Sequence, residues 1–373
     1  MTDTLELEAD TAEKAARDAF AKFYSTVGAG ETNLALPVEV AEALSRWVEA
    51  RRALTDRPAQ VPVRTGPRMR AKPPATITIP TPLTARDALA LLFLPDVWAS
   101  SDDGNALQAQ TSRTTLRVEY DDVLGFGPEQ AIRQITRHGP ATAQTFLALA
   151  ALWRERMGDA PAETYLDVWA SDLLRFQGRT ETPKGGYHKD DLIARGRDVY
   201  FLSRITLPKA QAMGELQALA LSRLISLEAL ESVSDNGSES VVRFRYHLGR
   251  EVHAWLGDPE RSAEVSSALL RYHPVRQKYQ ILLGFCLTCA MSSANGNTSI
   301  ELPRLLAMAG IHAPPRRLSA FLTTLEDAIA DLARDGVLPG LRLVKPSGWT
   351  DLLAARQTRQ ILDTARIEYG PGS

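Results

Sequence analysis

Residues 299–344 read SIELPRLLAMAGIHAPPRRLSAFLTTLEDAIADLARDGVLPGLRLV, and this stretch decides the fold. Its centre, Arg316–Arg334, sets Leu318, Phe321, Leu322, Leu325, Ile329 and Leu332 at helical spacing. That is the cleanest amphipathic pattern in the chain, and Gly336 ends it. Upstream, Ser299 precedes a short helix carrying Leu302, Leu305, Leu306 and Ala309, which Gly310 stops before Pro314-Pro315. Further upstream, His273–Met291 reads as a helix with Val275, Tyr279, Leu282, Cys286 and Cys289 on one side. Downstream, Leu341–Val344 reads as a strand and Thr350–Ile367 as a closing helix.

The same order of elements stands earlier in the chain. Residues 141–157 place Phe146, Leu149, Ala150, Trp153 and Met157 on one helical face. Tyr165–Val168 is strand-like. Ser171 caps a short helix, Asp172–Gln177, which Gly178 stops. After a polar loop, Arg179–Gly186, a third helix runs over Lys189–Ile205 and ends before Pro208. Two strands, Leu216–Leu230 and Val241–Leu248, flank Asn236-Gly237, the strongest short hairpin signal. The two units share element order and length but no residue-level identity, a weaker signal than a sequence repeat.

Around these units the chain is less regular. Residues 1–23 are acidic and Ala-rich, and 37–53 form an apolar stripe with Leu44, Trp47 and Val48. From Arg51 to Lys72 there are seven basic residues and one acid, with Pro58, Pro62 and Pro67 interspersed, which reads as an extended basic linker. Thr76–Ile79 alternates like a strand, Thr84–Leu94 looks helical and Leu116–Tyr120 looks like a strand, but 75–135 as a whole takes no named fold. The expected organisation is an N-terminal segment with linker at 1–74, a mixed α/β segment at 75–138, and two domains at 139–260 and 261–373. The expected fold class is α+β, mainly α with small β-hairpins.

Composition narrows the function. The formal net charge of the 373 residues is −2, so any nucleic-acid surface must be a local patch. Of 43 basic residues only eight are lysine; arginine favours bidentate contact with phosphate and guanine, although a GC-rich genome also yields this bias. The two cysteines form Cys286-Leu287-Thr288-Cys289, mid-helix, core-facing and without a second pair, which reads as buried structural thiols rather than a zinc or redox motif. No apolar run approaches a membrane span, and the acidic N-terminus lacks the basic start and apolar core of a signal peptide. A reduced, cytoplasmic setting without a membrane partner is expected.

Catalytic motifs are missing. The six histidines are dispersed, with no HExxH or His-x-His pair, and no GxxxxGK[ST] phosphate loop exists. His247-Leu248-Gly249-Arg250 has the His-x-x-Arg spacing of tyrosine recombinases but none of their other boxes. Asp102-Asp103 and Glu119, Asp121 and Asp122 read as solvated carboxylates. The expectation is a non-enzyme with no cofactor and no metal site.

Three helices followed by a hairpin describe a winged helix, so two tandem winged-helix domains are expected. In a helix-turn-helix the second helix of the pair presents its outer face to the major groove. The first unit offers Lys184, His188, Lys189, Arg195, Arg197 and Arg204 on or before its third helix, against Glu181, Asp190, Asp191 and Asp198. Its hairpin adds Arg243 and Arg245 on one strand and Arg223 on the other. The second unit offers Arg316 and Arg317 at the start of its long helix, where the helix dipole also attracts phosphate. Glu326, Asp327 and Asp331 further along suit a solvated or protein-facing surface. On this reading the first unit has the better DNA equipment and the second the cleaner fold signal.

The arrangement over 140–346 resembles the plasmid replication initiators of the tandem winged-helix type. The resemblance rests on Lys189–Ile205 with its hairpin through Asn236-Gly237, on His273-Pro274-Val275-Arg276 opening the second unit, and on the helix pair Leu302–Ala309 and Arg316–Arg334. It implies sequence-specific binding of double-stranded DNA at repeated origin sites, recruitment of host replication proteins, a homodimer that does not initiate, and no catalytic site. The family is usually more basic than this chain, and 75–135 has no counterpart in it. A winged-helix transcriptional regulator and a non-catalytic protein-interaction scaffold are the competing readings.

Overall fold

The computed structural model describes residues 74–370 except 112–113, 122–125, 214–215, 236–238, 294–298, 315 and 356, together with Thr11, Lys14 and the backbone of Arg64–Thr65. The readings made at 1–53 and most of the basic linker lie outside the described residues. By proximity of the backbone the chain divides into two parts, Met1–Pro62 and Val63–Ser373; the elements from Arg64 onward, and with them both units read from the sequence, belong to the second part.

In chain order the elements are β1 (Arg64–Thr65), β2 (Thr76–Pro80), α1 (Leu83–Leu92), β3 (Ala99–Ser100), β4 (Ala106–Gln110), β5 (Thr115–Glu119), α2 (Pro128–Met157), β6 (Leu166–Trp169), α3 (Ala170–Phe176), α4 (Lys189–Ser203), β7 (Ile205–Met213), β8 (Leu216–Arg223), β9 (Ile225–Asp235), β10 (Glu239–Leu248), α5 (Arg250–Gly257), β11 (Ser262–Ser266), α6 (Lys278–Ser293), β12 (Ser299–Glu301), α7 (Leu302–Met308), α8 (Leu318–Arg334), β13 (Leu341–Val344), α9 (Trp349–Ala354), α10 (Thr358–Thr364) and β14 (Arg366–Tyr369). The fold is mixed α and β, with far more sheet than small hairpins: β9 and β10 alone are 11 and 10 residues long.

At the centre lies α2. Every residue from Ala141 to Trp153 is buried, so the helix has no wet face here, where the apolar spacing predicts only one buried side. The reason is its neighbours: α1, α3, α4, α5, α6 and β2 all pack on it. Small residues (Ala141, Ala143, Ala148, Ala150 and Ala151) let them approach. The helix also passes through Gly139-Pro140, where the sequence suggests the start of a new segment. Gly139 is required there because a Cβ would stand 1.9 Å from the Leu92 carbonyl oxygen at the end of α1.

Two three-stranded arrangements take the same path. After α2 come β6, α3, α4, β9 and β10; the sheet order is β1-β6-β10-β9, in which β6-β10-β9 is antiparallel and the two-residue β1 adds parallel to β6. After α6 come β12, α7, α8, β13 and β14, and the sheet order is β12-β14-β13, again antiparallel. In both, the last strand lies between the first and second. Each carries an insertion, at a different place. The hairpin β7–β8 interrupts the first between α4 and β9; the helices α9 and α10 interrupt the second between β13 and β14.

These insertions account for two departures from the sequence reading. Leu216–Leu230 is not one strand. It breaks at Leu224, with β8 pairing back to β7 and β9 pairing forward to β10. Thr350–Ile367 is not one helix but α9, α10 and the start of β14, which completes the second sheet. The third helix of the first unit ends at Ser203, and Pro208 lies within β7. The helix expected from His273 starts at Lys278, which leaves Val275 67% exposed rather than on the buried side. The β7–β8 hairpin also joins β3-β4-β5 in a five-stranded sheet, so the strands at 99–119 belong with residues 205–223.

Polar contacts lock these layers. Asp198 on α4 is 2% exposed and accepts hydrogen bonds from Gln134 Nε2 (2.7 Å), Thr142 Oγ1 (3.0 Å) and Thr145 Oγ1 (3.1 Å), all on α2. Arg195 Nη1 lies 3.1 Å from the same carboxylate. Gln144, also on α2, donates to the carbonyls of Leu270 and Tyr272 at 2.8 Å, tying the first arrangement to the segment before α6. Cys286 and Cys289 are buried as expected, and burial raises the thiols, Cys286 to about 12.

Removing the Asp198 carboxylate leaves Arg195 buried without its counter-charge and takes an acceptor from Gln134, Thr142 and Thr145, of which only Gln134 keeps another, Thr142 Oγ1. Asp198→Ala is expected to cost about 3–5 kcal/mol, read as a lower urea midpoint with an unchanged m-value. A loss below about 1 kcal/mol would show that the network does not hold α4 to α2. A second expectation concerns pH. Burial lowers His138 and His247 below the ordinary histidine value, so each is neutral in the fold and binds protons more readily in the unfolded chain. Stability is then intact above about pH 6.5 and falls as pH drops below it. Urea midpoints between about pH 8 and 5 should show this fall, and His247→Gln should make it shallower.

Candidate nucleic-acid interface

The first unit presents fewer free cations than its sequence suggests. Arg195 is turned inward: its side chain is 11% exposed, pairs with Asp198 and donates to Thr145 Oγ1 at 2.7 Å. Arg204 donates to the carbonyls of Glu119 and Tyr120 and lies 3.5 Å from Asp121. Arg243 and Arg245 both bind Asp167, at 2.7 and 3.0 Å; Arg243 also stacks on Trp169, and Arg245 also meets Glu228 at 3.2 Å. Arg223 sits on β8, not beside Arg243 on the β9–β10 hairpin, and faces Glu119 at 3.9 Å. That leaves Lys184, His188, Lys189 and Arg197 exposed on and before α4, beside the exposed acids Asp190 and Asp191 of its first turn.

Of the acids expected to be solvated, Asp102 is exposed, Asp122 lies outside the described residues, and the others have partners. Asp103 accepts from Ser101, Arg117 and the Asn105 backbone, which holds it well below the usual carboxylate range. Asp121 accepts from Tyr200 at 3.0 Å. The Asp103 contacts tie the β3–β4 turn to β5, and the Asp121–Tyr200 bond fastens the end of β5 to α4.

The second unit is arranged the other way. Its α8 buries Phe321, Leu322, Leu325, Ala328, Ile329 and Leu332. The opposite stripe, Ser319, Ala320, Thr323 and Thr324, is exposed and headed by exposed Arg316 and Arg317. No acid stands in the first turn. Two of the three carboxylates expected on this helix are drawn aside. Glu326 pairs with Lys345 at 2.8 Å, and Lys345 stacks on Trp349 at 3.7 Å. Asp331 accepts from Gln280 at 2.9 Å and pairs with Arg334. Only Asp327 remains open, nearly three turns in. The acid-free first turns are plain in the sequence; the withdrawal of Glu326 and Asp331 is not, because Lys345 and Gln280 lie 19 and 51 residues away.

Arg317 is also the only non-glycine residue with a positive φ among the described residues, at φ 61° and ψ 36°. A left-handed arginine costs about 1–2 kcal/mol relative to glycine. The strain sets the side chain at the very start of α8, beside backbone N–H groups that no helical carbonyl serves. The placement therefore reverses the order of the two units: the acid-free cationic surface is on the second. Among the described residues no three His, Cys, Asp or Glu side chains converge as a metal site, and no helix is long and apolar enough to cross a membrane. No protein-family model, curated protein or solved structure matches the chain.

If the strained conformation serves to place the guanidinium, stability and binding should part company at this residue. Arg317→Gly is expected to raise the unfolding free energy by about 1 kcal/mol while weakening binding to duplex DNA. A glycine variant that is stabilised and binds as tightly as the parent would remove Arg317 from the interface.

Proposed function

We propose that the chain is a sequence-specific double-stranded DNA-binding protein with two tandem winged-helix units, and that it acts as a plasmid replication initiator at repeated origin sites. The observation that carries DNA binding is the exposed stripe of α8, with two arginines at its head and no unpaired acid before Asp327, Glu326 being held by Lys345. Such a face suits entry into the major groove, with Arg316, Arg317 and the free helix N-terminus on phosphate. The winged-helix reading is supported by the shared order of helix, strand, two helices and two strands, with the last strand central in both sheets. The initiator role rests on the resemblance in element order and brings with it host replication proteins and a homodimer as expected partners.

One observation favours a division of labour. The first turn of α4 exposes Asp190 and Asp191, which repel phosphate. The first unit is then the weaker DNA contact and the better candidate for meeting another protein, which keeps part of the scaffold reading within the initiator reading. A transcriptional regulator would instead bind a palindrome as a symmetric dimer.

The test is footprinting on the DNA that adjoins the coding gene, and then titration at several salt concentrations. Protection of direct repeats supports the initiator; protection of a palindrome supports the regulator; no protected site overturns both. Arg316→Ala with Arg317→Ala is expected to weaken binding across all sequences and to reduce the slope of log K against log salt by about 2. An unchanged slope in the folded variant would place the phosphate contacts elsewhere.

A further inference from the structure

The exposed face of α8 is unusual in what it lacks. Reading a guanine or adenine edge with two hydrogen bonds takes Arg, Lys, Asn or Gln. Between Arg317 and Asp327 the exposed positions are Ser319, Ala320, Thr323 and Thr324, and none of these types is among them. The threonine hydroxyls are moreover engaged in their own helix. Thr323 Oγ1 donates to the Ser319 carbonyl at 3.1 Å, and Thr324 Oγ1 donates to the Ala320 carbonyl at 2.8 Å. Neither has an O–H left to offer a base. Beyond the hydroxyl of Ser319 in the first turn, what this stripe offers is methyl: Cβ of Ala320 and Cγ2 of Thr323 and Thr324.

The base edge that matches a methyl surface in the major groove is the 5-methyl of thymine. From this face we infer that α8 reads thymine methyl groups through Ala320, Thr323 and Thr324, so the duplex bound by the second unit carries thymines at its centre. Ala320 and Thr324 are one turn apart, about 6 Å along the axis, close to two base steps. More than one thymine therefore falls under the stripe. Arg316 and Arg317 supply affinity on the backbone without sequence information. Asp327, the next exposed polar group, can accept from the amino group of a cytosine and refuses phosphate. The inference rests on α8 being the helix that enters the groove.

Replacing thymine by uracil removes the methyl and leaves every hydrogen-bonding atom of the base edge in place. The full chain is used to select bound duplexes from a random-sequence library, and the thymines of the selected site are then exchanged for uracil one at a time. Two or more positions should lose affinity by about fourfold each, the value of one buried methyl. Thr323→Val keeps the methyl and should bind thymine DNA as the parent does. Thr323→Ser should lose the same factor on thymine DNA and should no longer distinguish uracil at one position. Circular dichroism and urea midpoints establish that both variants fold. Equal binding of uracil and thymine duplexes, with binding still lost in the Arg316→Ala, Arg317→Ala variant, would overturn methyl reading and leave the DNA-binding proposal standing. Loss of binding in Thr323→Val would overturn it too, by giving the hydroxyl a role. If no duplex is selected, both proposals fall.

Discussion

The carboxylate of Asp198 is the constraint on which the first arrangement depends. A buried charge is costly unless its lone pairs are met, and here three donors from α2 and one guanidinium from α4 meet them. The donors stand at Gln134, Thr142 and Thr145, spread over about three turns of one helix, so they fix α4 in rotation as well as position. An apolar interface of the same area would hold the helices together but would tolerate sliding. This matters because α4 is not strongly amphipathic: its buried side includes Gly196, Asp198 and Ser203 beside Val199, Phe201 and Leu202. What decides which face is wet, and so that Lys189 and Arg197 point outward, is the polar network.

The second arrangement reaches the same path by apolar means. There α8 has a continuous buried stripe and needs no internal charge to orient it. The insertions also serve different ends. In the first arrangement β7–β8 joins β3-β4-β5 through the β5–β7 pairing and extends that meander to five strands. In the second, α10 packs on α7 and α8, while Trp349 at the head of α9 takes the stacked Lys345 that withdraws Glu326. The insertion thus helps to clear the exposed face of α8.

Legibility in the sequence depends on where each signal resides. The buried set of α8 is legible because it is local: Phe321, Leu322, Leu325, Ile329 and Leu332 announce themselves at helical spacing. The break at Leu224 is not, because β8 and β9 are both strand-like and only their partners differ. Residues 350–367 read as helix because Leu352, Leu353, Ile361 and Leu362 keep a helical period to the edge of β14, where pairing with β12 and β13 takes over. The candidate site is the least legible part. Whether an arginine is free depends on which carboxylate the fold brings to it, and Asp167 lies 76 and 78 residues from Arg243 and Arg245.

That pairing also explains how a chain of net charge −2 comes to present a cationic helix start. Each ion pair neutralises one charge of each sign locally. Arg195, Arg204, Arg243 and Arg245 are matched by Asp198, Asp121, Asp167 and Glu228, and Glu326 and Asp331 by Lys345 and Arg334. The field at any point is then set by the few groups not so engaged. At the head of α8 these are Arg316 and Arg317, reinforced by the helix dipole and opposed by no unpaired acid on the helix nearer than Asp327. At the head of α4 the remainder is Lys189 against Asp190 and Asp191. Two helices in equivalent topological positions thereby acquire different electrostatic faces, although the net charge of the chain contains no hint of either.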